Sequence, residues 1–421
     1  MATTIRIDAW IAAPGGWGVG YIDVGADLIT AQTRDGRGGP LELSAAPPEA
    51  TIVLDNTAGT YTNLLGAGGT SYVKIGDAVA LDITFNDGGG GVSMPLYDGW
   101  IVNVAYGSSA SGGVSTCTIT CSAARNITRQ NANANAIAAG SVSSFLADTM
   151  TYGGYAFTYN LSDTATPAVG AGVIPAGTEW WTMANTVAFM AGGIMYWQGA
   201  DIAAYAPFGP PGPPTVLRGI DHPAPNYASK TSRARKARDA WALYPVTIGD
   251  ADTGEEDVED VTIVYDEERT ATKVTVSDFA GALTTPTTVD LGYTKSAARE
   301  LALVGPWTSA GTQQAIADDV AKRYNVNRVK PGVRGAVCEA RFLSNSTLRT
   351  IFDPDYPLRT IKAVQRQSAG TFYDYCYIEG RSVDVGPDSC RITLDLTPTE
   401  SESYAILGVK PFNRLGYTTL K

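Results

Sequence analysis

Histidine is almost missing from this 421-residue chain: His222 is the only one. Zinc sites built on several imidazoles, and Ser-His-Asp or Cys-His catalysis, would all have to pass through it. It stands in GIDHPAP, beside Asp221 and before Pro223, which reads as a surface turn. Cysteine is sparse too. Cys117, Cys121, Cys338, Cys376 and Cys390 form no CxxC or CxxCH spacing, which leaves metal and haem chemistry without ligands. Cys117 and Cys121 lie four residues apart in the strand-like STCTITCS, about 13 Å from each other and beyond disulfide reach. An odd number of scattered thiols fits assembly in a reducing cytoplasm.

Charge is the next shortage. Charged residues make up 17% of the chain, against roughly 25% in average globular proteins. Positive charge is the scarcer sign, with 31 Lys and Arg against 42 Asp and Glu for a net −11. This excludes a general surface for gripping nucleic-acid backbone. A hydrophobic share of 44% excludes charge-driven disorder. No stretch reaches the ~20 continuous apolar residues of a membrane helix. The best candidate, Trp180 to Trp197, is interrupted by Gly192-Gly193 and diluted by Thr182, Asn185 and Thr186. MATTIRIDAW shows no basic-then-apolar leader. Neither GxGxxG nor GxxxxGK[ST] follows a strand, so phosphate cradling has no support. Asn126, Asn160 and Asn345 head chance Asn-x-Ser/Thr triplets.

What the chain does have is a β texture and length for two to four domains at about 150 residues each. Ile5, Ile7 and Trp17, Val19, Tyr21 alternate with small or polar residues. Strands are expected at Leu28–Thr33, Thr51–Leu54, Val73–Ile75, Ala78–Phe85, Trp100–Val104 and Cys117–Cys121. Their regular spacing, with Asp/Asn/Gly turns and a hairpin tip at Asn86 to Gly91, predicts a barrel or sandwich. After Ala123 the pattern changes. Ser143 or Ser144 is placed to cap a short helix carrying Phe145, Leu146 and Met150. TEWWTMANTVAFMAGG predicts a helix with Thr178 as N-cap, Gly192 at its C-terminal end and a stripe of Trp180, Met183, Val187 and Met190. A hairpin, IMYWQ–GAD–IAAYA, follows.

Pro207 to Pro214 reads as a stiff linker. A basic run comes next (Lys230, Arg233, Arg235, Lys236, Arg238), then an acidic loop around Glu255, Glu256, Asp257, Glu259 and Asp260. Val261–Tyr265 and Lys273–Val276 look like a hairpin; Lys295–Leu303 and Thr312–Tyr324 look helical. Strands return at Ala336–Phe342, Arg359–Gln365, Phe372–Val383 and Cys390–Leu396, the last with Ile392, Leu394 and Leu396 facing a core. The fold class is therefore mainly β with an α/β insert. The expected organisation is an N-terminal β-barrel over 1–125 and an α/β middle over 126–206. A linker with the second barrel's start and a mixed segment covers 207–330, C-terminal barrel strands 331–400, and a tail 401–421.

Candidate chemistry is thin. Paired carboxylates suffice for glycoside hydrolysis, and Asp98, Asp353 and Asp355 have aromatic neighbours; Asp beside Pro and Gly is equally ordinary turn chemistry. Trp180, Trp181, Tyr196 and Trp197 would suit a stacking platform, and their spacing suits a core better. The basic run pairs with acidic neighbours or touches phosphates. No catalytic, cofactor or metal residue emerges, and no cofactor is expected.

The order of segments resembles a known family. ATIVLDNTAGTYTNLL, then YVKIGDAVALDITF and PLYDGWIVNV, is similar to the opening of minor tail proteins of long-tailed phages. Within them it resembles the central tail-tip, or baseplate-hub-like, protein. CSAARNITRQN followed by WWTMANTVAFMAGGIMYWQGADIAAY resembles the hub's middle domain. QQAIADDVAKRY, RGAVCEARF, RTIKAVQRQ, YCYIEGRSVDV and CRITLDLTPTE resemble its closing part. The tail AILGVKPFNRLGY resembles minor tail proteins of actinobacterial phages.

The resemblance implies two tube-type β-barrels flanking a helix-plus-hairpin α/β domain, and a homotrimer that adapts a sixfold tail tube to a threefold tip. It implies a virion structural protein of a siphovirus tail tip, not an enzyme, assembled in the host cytoplasm. Such a hub caps the tube and opens for DNA ejection after host attachment. The implied partners are the distal tail protein, the tape-measure protein and fibre proteins, with DNA crossing the lumen unbound. Two alternatives stand beside it: a distal tail or adsorption protein forming a hexameric ring or peripheral spike, and a tail-associated glycan-binding or glycan-hydrolysing protein.

Overall fold

The computed structural model describes residues 4–12, 21–36, 46–62, 73–86, 91–107, 115–123, 135–152, 158–160, 169–191, 194–198, 201–205, 246–249, 256–264, 271–279, 286–291, 300–307, 309–324, 332–352, 360–367 and 370–398. The N-terminal part is β1 (Thr4–Ala12), β2 (Tyr21–Asp23), β3 (Leu28–Gly36), β4 (Ala46–Asp55), β5 (Ala78–Asn86), β6 (Gly91–Gly107) and β7 (Thr116–Ser122). The middle is β8 (Asn135–Ile137), α1 (Val142–Tyr152), β9 (Thr158–Asn160), β10 (Gly172–Ile174), α2 (Trp180–Met190), β11 (Ile194–Gln198) and β12 (Asp201–Tyr205). Then come β13 (Val246–Gly249), β14 (Glu256–Asp257), β15 (Asp260–Val264), β16 (Lys273–Asp278), β17 (Thr287–Asp290), β18 (Glu300–Gly305) and α3 (Ala310–Tyr324). β19 (Gly332–Glu339), α4 (Asn345–Phe352), β20 (Thr360–Gln367), β21 (Gly370–Val385) and β22 (Cys390–Pro398) complete the order.

The molecule is mostly β, and one 14-stranded sheet dominates it, running β14-β13-β20-β21-β3-β4-β7-β6-β5-β1-β2 with β22, β19 and β15 branching from β21. Period-two burial explains why these segments are strands. On β5, Val79, Leu81, Ile83 and Phe85 are fully buried while Ala78, Ala80, Asp82 and Thr84 are half-buried. β7 buries Cys117, Ile119 and Cys121 between threonines. β22 buries Ile392, Leu394 and Leu396, as the alternation predicts.

The long strand β21 joins the two ends of the chain. Its first half pairs with β20, its second half pairs with β3 from Gly380–Gly36 to Val385–Ala31, and β22 covers its other side. One continuous apolar core, from Ile7 to Leu396, lies against this sheet. A second core gathers Ala123 to Ala191 together with Ala271 to Ala321, under α1, α2, α3 and the small sheet β17-β16-β18.

Several local expectations are revised. Lys295–Leu303 is not helical where described: residues 300–305 form β18, parallel to β16, with Leu303 buried and Ala302 and Val304 outward. Period-two burial and a waiting sheet edge outweigh the helical propensity of Leu and Ala. The expected hairpin of 261–265 and 273–276 does not form. β15 pairs with β19 in the large sheet and β16 with β17 and β18 in the small one. Val73–Ile75 belongs to a turn, not a strand. Thr178 does not cap α2; its hydroxyl donates to the Pro175 carbonyl, and Glu179 occupies the N-cap.

α2 is buried nearly all round, Thr182 excepted, because it crosses the middle of the second core. α1 is capped by Ser141, two to three residues before the serines expected, with the Ser144 N–H donating to its hydroxyl at 3.1 Å. Ser309 and Ser344 cap α3 and α4 in the same way. The β11–β12 hairpin forms as expected.

Candidate assembly site

The strongest polar constellation lies where β3, β21 and α4 meet. Arg381 of β21 is one residue along from Gly380, so the antiparallel register sets it opposite Asp35 of β3. Its Nε donates to both carboxylate oxygens of Asp35 at 3.2 and 3.1 Å, and its Nη2 sits 3.0 Å from Oδ2. The remaining Nη1 donates to the Ile351 carbonyl at 2.8 Å, and the guanidinium lies 5.4 Å from the centre of the Phe352 ring. Arg381 is 7% exposed. A planar fork with donors on two edges is what this site uses, and a lysine ammonium has no equivalent geometry. Phe352 in turn stands 6.3 Å from Phe85 of β5, so α4 ties both β-regions together.

Beside this joint, Glu339 accepts the Cys390 N–H at 2.9 Å and an ion pair from Arg341 at 3.5 Å. Burial, then the negative charges of Glu339 and Asp384, push the Cys390 thiol up to about 12, so it stays a neutral, inert core group. A cleft of about 370 Å³ runs along this seam between β1 and the β21–β22 turn, with Arg6, Thr30, Arg341, Pro387 and Asp388 on its walls.

A second network organises the turn after β4. Asn56 is buried; its carbonyl oxygen accepts the Tyr61 N–H at 2.9 Å and its amide donates to the Thr62 hydroxyl at 2.5 Å. Gly59 takes φ +71° there, a conformation that a Cβ would strain. Asp55 accepts both the hydroxyl and the N–H of Thr57, which holds its carboxyl below the usual range. The Tyr61 hydroxyl donates to Asp27 at 2.5 Å, fastening the turn to the start of β3. Burial first, and then that carboxylate, raise the phenol well above its ordinary value.

Of the residues singled out from the sequence, Asp98 lies on β6 opposite Ala80 and is half-buried. The register sets it on the same outward face as Asp82 and Asp8, which oppose each other directly. Arg6 at 2.7 Å and the Thr84 hydroxyl at 3.0 Å hold Asp8. His222, Lys230 to Arg238, Pro207 to Pro214, Asp353 and Asp355 lie outside the described residues. Trp180 and Trp181 are core residues, not a stacking platform; Tyr196 and Trp197 lie on β11. All five cysteines are buried thiols outside any disulfide. Among the described residues no three His, Cys, Asp or Glu side chains group as metal ligands. No described helix is long and apolar enough to cross a membrane.

Sequence reasoning placed Asp/Asn/Gly turns between the strands without singling out Asn56, and it missed Arg381 and Asp35. Nothing local marks an in-strand arginine whose partner is 346 residues away.

No protein-family model and no curated protein matches the sequence. The fold does match solved structures. A tail protein from Neisseria meningitidis MC58 superposes over 93% of this chain and 96% of its own, with TM-score 0.54 at 12% identity. The 43 kDa tail protein of prophage MuSo2 from Shewanella oneidensis covers 94% of this chain and 99% of its own, with TM-score 0.53 at 10% identity. This is a phage tail-protein fold. The same fold reaches a chain of the lidded Francisella PdpA–VgrG complex, over 94% of this chain and 53% of that one, with TM-score 0.50 at 9% identity. Such low identities with near-complete coverage mean that burial pattern and strand order, not particular side chains, carry the likeness.

Proposed function

We propose that the protein is a structural component of a phage tail tip, the central hub that closes the tail tube. The observation that carries this reading is the end-to-end likeness to two tail proteins, one of them from a prophage, nearly whole chain on whole chain. The sheet supports it, because β21–β3 pairing makes one continuous sheet from the two β-rich ends. On this reading the N-terminal strands form one tube-type barrel, and β19 to β22 with β13 to β15 form the other. The α/β body comes from both stretches that share the second core.

Three copies of two barrels give a threefold ring with pseudo-sixfold outline, able to join a hexameric tube. Closed rings of this kind need large heterologous contacts. The partners are the distal tail protein, the tape-measure protein and fibre proteins, and the site of action is the virion tail tip. An acidic conduit lets DNA pass because like charge suppresses phosphate contacts. The role is architectural rather than enzymatic, and the host is of the actinobacterial type.

A reconstruction of the whole particle tests this. A threefold ring of this chain at the tube end is the expected result. A sixfold ring supports the distal-tail alternative, and a peripheral position supports an adsorption protein; either overturns the hub. Clearing of host cell walls that is lost in Asp98→Asn would replace architecture with glycan hydrolysis.

A further inference from the structure

The β5 side of β6 empties halfway along the strand. Trp100 pairs with Ala78 of β5 on one side and with Ser122 of β7 on the other. One step further, the Gly76 N–H donates to the Ile101 carbonyl at 2.8 Å and the Ile101 N–H donates to Asp77 at 2.9 Å, and there the chain before β5 turns away. From Asn103 onward the strand is paired with β7 alone among the described residues, and none of them hydrogen-bonds to the outer side of 102–106.

This stretch is exposed on both faces, with only Val104 half-buried. Val102 is 43% exposed, Tyr106 44%, and Ile75, in the adjoining turn, 72%. Ile101 to Gly107 reads IVNVAYG, with no charged residue and no proline. Those are the devices that ordinarily stop an open edge from pairing. The end strands of the large sheet are guarded: β2 is three residues long and ends on Asp23, β14 is the acidic pair Glu256–Asp257, and β15 begins on Asp260.

We propose that the Val102–Tyr106 edge of β6 seats an extended strand from a second copy of this chain. The proposal rests on the ring reading above and names the surface through which the ring closes. An open row of backbone N–H and carbonyl groups is matched only by another extended main chain, which rules out duplex DNA and glycan as occupants. Charge selects the copy. Two chains of net −11 repel wherever their surface carboxylates meet, and an uncharged strip beside Ile75 lets them close without opposing like charges. A cyclic ring requires that the strand seated here come from a different part of the neighbour.

The test uses the full chain and its Val102→Lys/Tyr106→Lys variant. Analytical ultracentrifugation reads self-association, circular dichroism reads the fold, and hydrogen exchange compares assembled with dissociated protein. The wild type is expected to associate, with amides 102–106 slowed about 100-fold or more in the assembly. The variant is expected to keep the wild-type spectrum and to associate at least about tenfold more weakly. If the lysines unfold the chain, the exchange measurement on the wild type still decides. A monomeric wild type, a lysine variant that assembles normally, or amides that exchange equally fast in both forms would each overturn the proposal. A threefold ring with open 102–106 amides rejects this edge and keeps the hub. Association through this edge in another symmetry keeps the edge and rejects the hub.

Discussion

The two cores of the molecule differ in how far the hydrogen bonds of their buried polar groups reach along the chain. In the large-sheet core Asn56 bonds locally, and the other bonds span the chain: Arg381 to Asp35 across 346 residues, Glu339 to Cys390 across 51, and Tyr61 to Asp27 across 34. In the α/β core the bonds of α1 and α2 stay within one helical turn, while buried Gln313 of α3 accepts the Thr287 hydroxyl of β17 at 3.3 Å across 26 residues. Thr149 donates to the Phe145 carbonyl, Asn185 to Trp181 and Thr186 to Thr182, each four residues back. The first kind specifies which strands meet and in what register; the second satisfies a helix that would form anyway. The longest of these links therefore lie in the sheet, the part that holds the two ends of the chain together.

The largest effect belongs to Arg381. Arg381→Ala takes the guanidinium from the Asp35 carboxylate in a nearly buried site and the Nη1 donor from the Ile351 carbonyl. It should cost about 3–5 kcal/mol, read as a lower urea midpoint. Arg381→Met with Asp35→Leu removes both charges and should recover most of that loss. If the single variant unfolds at the wild-type midpoint, the sheet's long-range polar bonds carry no specificity and the contrast with the helices disappears.

Alkaline pH should separate the cores next. All five cysteines belong to the large-sheet core and none to the other. Burial raises Cys121 and Cys390 to about 12 from the ordinary 9.0. A raised folded pKa means that the unfolded chain loses its protons first. The stabilisation is then complete below pH 9.0 and is lost as pH climbs toward 12. At about pH 10 each thiol should account for about 1.4 kcal/mol, or roughly 3 kcal/mol for the pair. Hydrogen exchange at pH-corrected rates should show the sheet loosening before α2. Equal loosening of both cores would contradict the assignment.

Asn56→Ala ranks third. It removes an acceptor from the Tyr61 N–H and a donor from Thr62 inside the sheet core. The expected cost is about 2 kcal/mol in urea unfolding, with faster proteolysis of the loop it organises.

How far the sequence carried follows from the same division. Strands whose alternation is strict, such as β5, β7 and β22, were legible because period-two burial is written locally. The α2 helix was legible for the same reason, although only its tertiary setting shows that it is buried all round. β18 was misread because ELALV suits a helix until β16 lies beside it. The pairing of β21 with β3 and the Arg381–Asp35 joint leave no local trace, since register across 346 residues is decided by packing. Strand order from end to end was enough to suggest a tail protein; the open edge of β6 was not visible until the start of β5 had been located.

The smallest effect is the most direct probe of the helical side. Thr149 is fully buried, and its hydroxyl donates to the Phe145 carbonyl at 2.7 Å. That carbonyl is also the ordinary acceptor for the Thr149 N–H in a continuous helix, so it is not orphaned when the hydroxyl goes. Thr149→Val keeps the shape and removes one polar group together with its desolvation cost. The two contributions nearly cancel, and the change should stay within about 1 kcal/mol of wild type. A loss of about 2 kcal/mol or more would mean that the hydroxyl answers to something beyond its own helix. Helix α1 would then be using the same long-range logic as the sheet, and its polar groups, like Arg381, would be selecting a partner element instead of serving their own.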